Sequence, residues 1–356
     1  MKKSYGRRGF LAISTALFLA FVTRIAPTYA VAGGSDATDR FLLGTHINIG
    51  MQLNGSFGSR GNAPTGFHTR PNQEAGWSTA GDGRLGFTYD NGDGWGTGAD
   101  VGDFFTPGTP YEGFQLEVNS AGDKMYGQNK HNDMSDLGHG NWTACTGICE
   151  SWEMVTPFNG LNLVQEYSVI ADATLKMHIT VSNPTGSAIE GVYYGRCVDP
   201  DNTQAAGGGY ITTNQVIRTI EADGQAAVQA TSTYDTVETA LVLFSSDPNA
   251  RAFYNGDSEM DCSDAASDRW DGTGGWSQAK GTPSEADGAI GLVVRIGTLA
   301  AGATYTFDAY YGMNLAAMDS LPSTDRDWSP TSVILAIAAA MTAAAGAMQR
   351  VRSGNR

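Results

Sequence analysis

The sequence predicts an all-β protein, a large antiparallel β-sandwich, with an N-terminal signal helix and a C-terminal apolar helix added at its ends. Three observations predict it. Glycine is abundant, 46 of 356 residues, and turn dipeptides recur along the whole chain. Apolar residues alternate in short runs with the two-residue period of a half-buried strand. Helical periodicity is confined to the two ends. Between them lie roughly 300 residues, enough for a domain with a sizeable core. No fixed repeat period is visible, which argues against a propeller or a solenoid.

Taken in order, residues 1–30 read as a signal peptide. Lys2, Lys3, Arg7 and Arg8 precede an apolar run from Phe10 to Val22, and Thr28-Tyr29-Ala30 is a small-residue cleavage site. The mature chain would begin near Val31. The string Gly6-Arg7-Arg8-Gly9-Phe10-Leu11 resembles the twin-arginine export motif, which implies export machinery as a partner and a bacterial envelope as the setting.

The predicted β-sandwich ectodomain spans 31–325. Ile47, Ile49, Met51 and Leu53 share one strand face, and Leu85, Phe87 and Tyr89 another. Phe114, Leu116 and Val118 alternate next. Leu175, Met177, Ile179 and Val181 run into an Asn183-Pro184-Thr185-Gly186 turn before Ile189 to Val198, which predicts a hairpin. A second hairpin is predicted where Gly291 to Ile296 and Thr304 to Tyr311 are joined across Gly297 to Gly302. Residues 56–84 and 247–288, rich in Gly, Asp, Ser and Asn, read as long loops, where binding is commoner than on strands. The stretch Leu161 to Asn314, with its strand-turn-strand unit followed by Arg196-Cys197-Val198-Asp199-Pro200-Asp201, resembles the two-sheet supersandwich of galactose-mutarotase-like proteins. That resemblance covers about half of the chain.

Residues 326–356 read as an anchor. From Thr331 to Gln349 no residue is charged, and Arg350, Arg352 and Arg356 close the chain. At 1.5 Å per residue this run would extend about 28 Å, close to the hydrocarbon thickness of a bilayer. Its many alanines favour insertion less than leucine would. Leu321-Pro322-Ser323-Thr324 resembles the sortase recognition motif, with Asp325 standing where that family has Gly. The expected location is outside the cell, at the surface or envelope and held through the membrane by residues 331–349; the alternative is a secreted protein.

Charge separates these ends from the body. Of 22 basic residues, five lie in 1–30 and three in the tail, so 14 remain to face 37 acidic ones and the body carries about −23. Such a body does not suit nucleic acid or anionic lipid, and it favours cations or basic surfaces. Cys145, Cys149, Cys197 and Cys262 all fall in the exported part, where disulfides persist. Four cysteines allow three pairings, and the short Cys145-to-Cys149 spacing allows a local loop closed on itself.

Three chemistries are worth placing. Oxygen ligands for calcium, a possible cofactor, could come from Asp90, Asp93, Asp100 and Asp103, or from Asp199 and Asp201, whose carboxylates would point to one side of an extended segment. The other reading is solvated acidic turns. Trp77, Trp95, Trp270 and Trp276 fall in Gly-rich stretches, where exposed rings could stack on sugars with Asp271 or Asn255 bonding hydroxyls. The other reading is that they pack down over sheet ends. If the supersandwich resemblance extended to activity, an acid and a base would come from His131 or His178 with Glu112 or Glu166. No His-Glu-x-x-His or Gly-x-Ser-x-Gly string is present. The expected function is adhesion or binding of a glycan or cell-surface component, with calcium support; the alternative is a carbohydrate-active enzyme.

Overall fold

A computed structural model of the chain describes residues 29–32, 38–69, 83–90, 103–106, 111–119, 123–129, 140–171, 173–201, 209–232, 240–255 and 264–313. The predicted signal peptide up to residue 28 and the whole predicted anchor, 326–356, lie outside these residues. Among the described residues no helix is long and apolar enough to cross a membrane.

The described body is all-β, as the alternation predicts, and every strand pair is antiparallel. A four-stranded sheet runs in the order β1 (Tyr29–Ala32), β2 (Arg40–Leu43), β3 (Ile47–Met51), β4 (Phe87–Tyr89). A nine-stranded sheet runs β17 (Ser284–Ala286), β12 (Thr212–Arg218), β13 (Ala226–Ser232), β14 (Ala240–Ser245), β19 (Thr304–Gly312), β10 (Thr174–Ser182), β9 (Asn162–Ala171), β8 (Cys149–Met154), β7 (Gly140–Ala144). A six-stranded sheet runs β16 (Trp276–Ser277), β15 (Ala250–Asn255), β18 (Ile290–Leu299), β11 (Ile189–Val198), β5 (Glu112–Val118), β6 (Asp123–Gln128).

The main core lies between the two larger sheets. On the nine-stranded sheet Leu175, Met177, Ile179 and Val181 face inward beside Leu163, Tyr167, Phe307 and Tyr311; the six-stranded sheet answers with Phe114, Leu116, Val192, Tyr194, Leu292 and Val294. Polar residues alternate with these along β9 and β10, so one face of that pair meets solvent. The six-stranded sheet differs, because its other face is also covered. There Tyr193, Cys197, Phe253 and Val293 form a second core with Trp276 and Ala266. Ala266 starts helix α2 (Ala266–Asp271), which follows the single-turn helix α1 (Ile220–Asp223). α2 has no capping side chain of its own; instead Glu117 on β5 accepts from the Ser267 N–H at 2.9 Å and its hydroxyl at 2.6 Å.

Both predicted hairpins are corrected. β10 belongs to the nine-stranded sheet and β11 to the six-stranded one, and β18 and β19 are split the same way. Each turn therefore carries the chain from one sheet to the other. Asn183 ties the two crossings together: its side-chain amide donates to Ser187 O at 2.8 Å, Leu299 O at 2.9 Å and Ala300 O at 3.1 Å. The predicted loop 247–288 is corrected too, since it contains β15, α2, β16 and β17. Of the loop 56–84 the described part adds no strand, but Phe57 is fully buried in the main core.

Candidate functional site

The structure disperses the sequence-predicted site residues. Trp77, Trp95, Asp93, Asp100, His131 and Cys262 lie outside the described residues. Trp276 is only 2 % exposed, its ring edge-on to Phe253 at 5.1 Å and its indole N–H donating to Asp264 at 3.1 Å. Asn255 is 1 % exposed, with its backbone N–H given to Ala289 O. Trp276 packs in the second core with Ala266 of α2, and neither buried side chain is available to stack on or bond a sugar. Cys145 and Cys149 are joined to each other at the β7–β8 turn, and Cys197 is disulfide-bonded as well.

Trp270 remains half-exposed at the end of α2, with the exposed Asp271 beside it. The Arg251 guanidinium lies over the Trp270 ring at 4.1 Å and donates to Trp270 O at 2.6 Å. Gln278 donates to the same carbonyl at 2.8 Å. Arg251 and Gln278 then line a cleft of about 240 Å³ with Thr219, Ile220, Glu221 and Ala252. A planar cation held in place, an amide, a carboxylate and a hydroxyl thus surround a small apolar floor. This combination suits a ligand with many hydroxyls or a carboxylate.

The predicted calcium loop is corrected in part. Asp103 spends its carboxylate on backbone: it accepts from the N–H groups of Gly86, Phe87, Phe105 and Thr106. It therefore anchors two chain segments and is no cation ligand. Asp90, also buried, lies 3.3 Å from Nδ1 of His46. Asp199 and Asp201 do come together, and with a partner that the sequence did not suggest. Asp287, in the β17–β18 connection, brings a carboxylate oxygen to within 4.8 Å of theirs, all three pairwise. Burial pushes the carboxyls of Asp199 and Asp287 up, and at Asp199 the charge of Asp287 adds to it.

On the solvent face of the nine-stranded sheet, His178 has Glu166 on one neighbouring strand and Asp308 on the other. Asp308 accepts from Nδ1 of His178 at 2.7 Å and from Lys176 Nζ at 2.8 Å. The hydrogen bond to Asp308 raises the His178 pKa above its ordinary value, against a smaller lowering by burial. By linkage this contact stabilises the fold fully below the unfolded histidine value of about 6.5, and the contribution is lost as pH rises through the higher folded value. An NMR titration of His178 should show a midpoint above 6.5, returning toward it in Asp308→Asn. A midpoint at or below the ordinary value in the wild type would refute the contact.

Glu112 is no candidate acid or base. It is fully buried between the sheets, where Arg196 donates to it twice, at 2.7 and 3.0 Å. The Phe57 N–H at 2.7 Å and the Tyr311 hydroxyl at 3.1 Å complete its shell. Burial pushes this carboxyl above the ordinary range, and four donors, two of them on the Arg196 guanidinium, act against that shift.

No protein-family model matches the chain, and no curated protein does. Among solved structures, a polysaccharide lyase is similar over 71 % of this chain and 33 % of that one, at 12 % sequence identity and a TM-score of 0.37. The chain thus spans about a third of that protein's length.

Proposed function

We propose that this chain is an exported β-sandwich protein, held at the cell surface or envelope by its C-terminal segment, that acts by binding a glycan. The observation that carries the reading is the cleft in which Arg251, fixed over Trp270, stands with Gln278, Glu221 and Thr219. Arg251 loses little freedom on binding, because the ring and the Trp270 carbonyl already hold it. Its remaining N–H groups are suited to a sugar carboxylate or a pair of hydroxyls. A glycan-array screen with Arg251→Ala as the control tests this. Removing a charge-assisted contact should weaken binding about tenfold or more. An empty array, or hits that Arg251→Ala leaves unchanged, would reject it.

The second reading is a carbohydrate-active enzyme, favoured by the placement of His178 between Glu166 and Asp308 on an open sheet face. Here the imidazole and a carboxylate would exchange a proton with bound sugar. Turnover of an array hit that vanishes in His178→Ala, with binding retained, would favour the enzyme over the pure binder.

A further inference from the structure

We propose that Asp199, Asp201 and Asp287 form a calcium site that fastens the two large sheets to each other at one end of the sandwich. The proposal goes beyond the glycan-binding reading and stands or falls without it. Asp199 is 4 % exposed and Asp201 3 % exposed. Among the described residues, Oδ1 of Asp199 and Oδ1 of Asp287 are buried without any hydrogen-bond donor. Carboxyls placed in this way stay ionised only if a positive charge joins them, which a bound cation would supply. No ion pair with Lys, Arg or His is formed by Asp199 or Asp287 among the described residues. The proposed cation would supply that charge from outside the described residues.

Spacing selects the ion. Calcium binds oxygens at about 2.3–2.6 Å, so three evenly spaced ligands stand at most about 4.0–4.5 Å from one another. The three carboxylate oxygens lie within 4.8 Å of one another, so they need close by no more than a few tenths of an ångström to reach that spacing. Magnesium, with bonds of about 2.0–2.1 Å in a strict octahedron, holds neighbouring ligands only about 2.8–3.0 Å apart and so demands a tighter group. Calcium also tolerates the irregular geometry that three separate carboxylates present, and completes its shell with backbone oxygens or water.

Placement gives the ion its role. Asp199 and Asp201 follow directly on β11 of the six-stranded sheet; Asp199 donates its N–H to Tyr111 O at 2.8 Å and Asp201 to Phe104 O at 3.3 Å. Asp287 follows directly on β17, an edge strand of the nine-stranded sheet. A cation shared by the three would cross-link both sheets and the segment carrying Phe104, all far apart in sequence.

The test uses the purified full chain stripped with EDTA and then given calcium or magnesium chloride, read by thermal unfolding and calorimetric titration. Calcium at 100 times its Kd should raise Tm by about 4 °C or more, and magnesium by clearly less. Asp287→Asn, at the least buried of the three positions, should fold, abolish the calcium response and melt no lower than wild type in EDTA, since it removes one of the opposed charges. Asp199→Asn gives a second reading of the same loss. No calcium shift in the wild type, an equal shift with magnesium, or a calcium shift that survives Asp287→Asn would each overturn the assignment.

Discussion

Arg196→Ala should destabilise the fold by about 3–5 kcal/mol, the largest loss expected from any single side chain here. The guanidinium sits between the sheets, fully buried, with Glu112 on β5 as its charge partner. It also donates to Gln165 and to the Tyr167 hydroxyl, each at 3.3 Å, and lies over the Phe57 ring at 4.4 Å. Its removal leaves the Glu112 carboxyl in the core with only the Phe57 amide and the Tyr311 hydroxyl as donors. That uncompensated carboxyl, more than the lost contacts, sets the cost. Glu112→Ala should cost a similar amount from the opposite side. The double variant Glu112→Leu with Arg196→Met should recover much of either loss, because no charge is then buried. Urea denaturation of the four proteins measures this, and a single-variant loss below about 1 kcal/mol would show the pair to be unimportant.

Asp103→Ala is expected to lose about 3 kcal/mol or more. Four backbone amides lose their acceptor at once, and those of Gly86 and Phe87 enter β4 while those of Phe105 and Thr106 lie in the segment that packs against it. Asp103→Asn keeps one acceptor oxygen and should lose less. Neither change should alter the response to calcium, which separates this aspartate from the cluster around Asp199. A calcium response lost in Asp103→Asn, with folding retained, would restore the carboxylate as a cation ligand.

Much of the fold is legible in the sequence, because a strand with one wet face writes its period into the chain. β10 and β19 are visible in this way, and β3, β4 and β5 also alternate in sequence although the structure buries both of their faces. What alternation does not record is the partner. Asn183-Pro184-Thr185-Gly186 has the chemistry of a tight turn, and the turn is there, yet it carries the chain across the core instead of folding it back in one sheet. Turn residues set local dihedrals, whereas the sheet a strand joins is decided by which faces bury each other. The site is less legible for a related reason. Asp199 and Asp201 are near in sequence and could be paired on paper, but Asp287 reaches them only through the packing of the two sheets. Trp276 misleads in the opposite direction. Its glycine-rich surroundings suggest an exposed ring, while Phe253 and Asp264 hold it in the second core.

The position of β19 bears on how the chain acquires its structure. This last described strand does not lie at an edge; it is inserted between β10 and β14 in the nine-stranded sheet. Ile179 pairs with Phe307 and Leu243 with Tyr311, so the middle of the sheet is closed by residues made long after its flanks. Until residue 312 is available, β10 and β14 each present an open edge beside a row of core side chains, the condition under which chains pair with their neighbours. Formation of the sheet is therefore expected to be slow and to wait until β19 has been made. A chain cut before Thr304 should accumulate as aggregate, because it lacks the strand that joins its two halves.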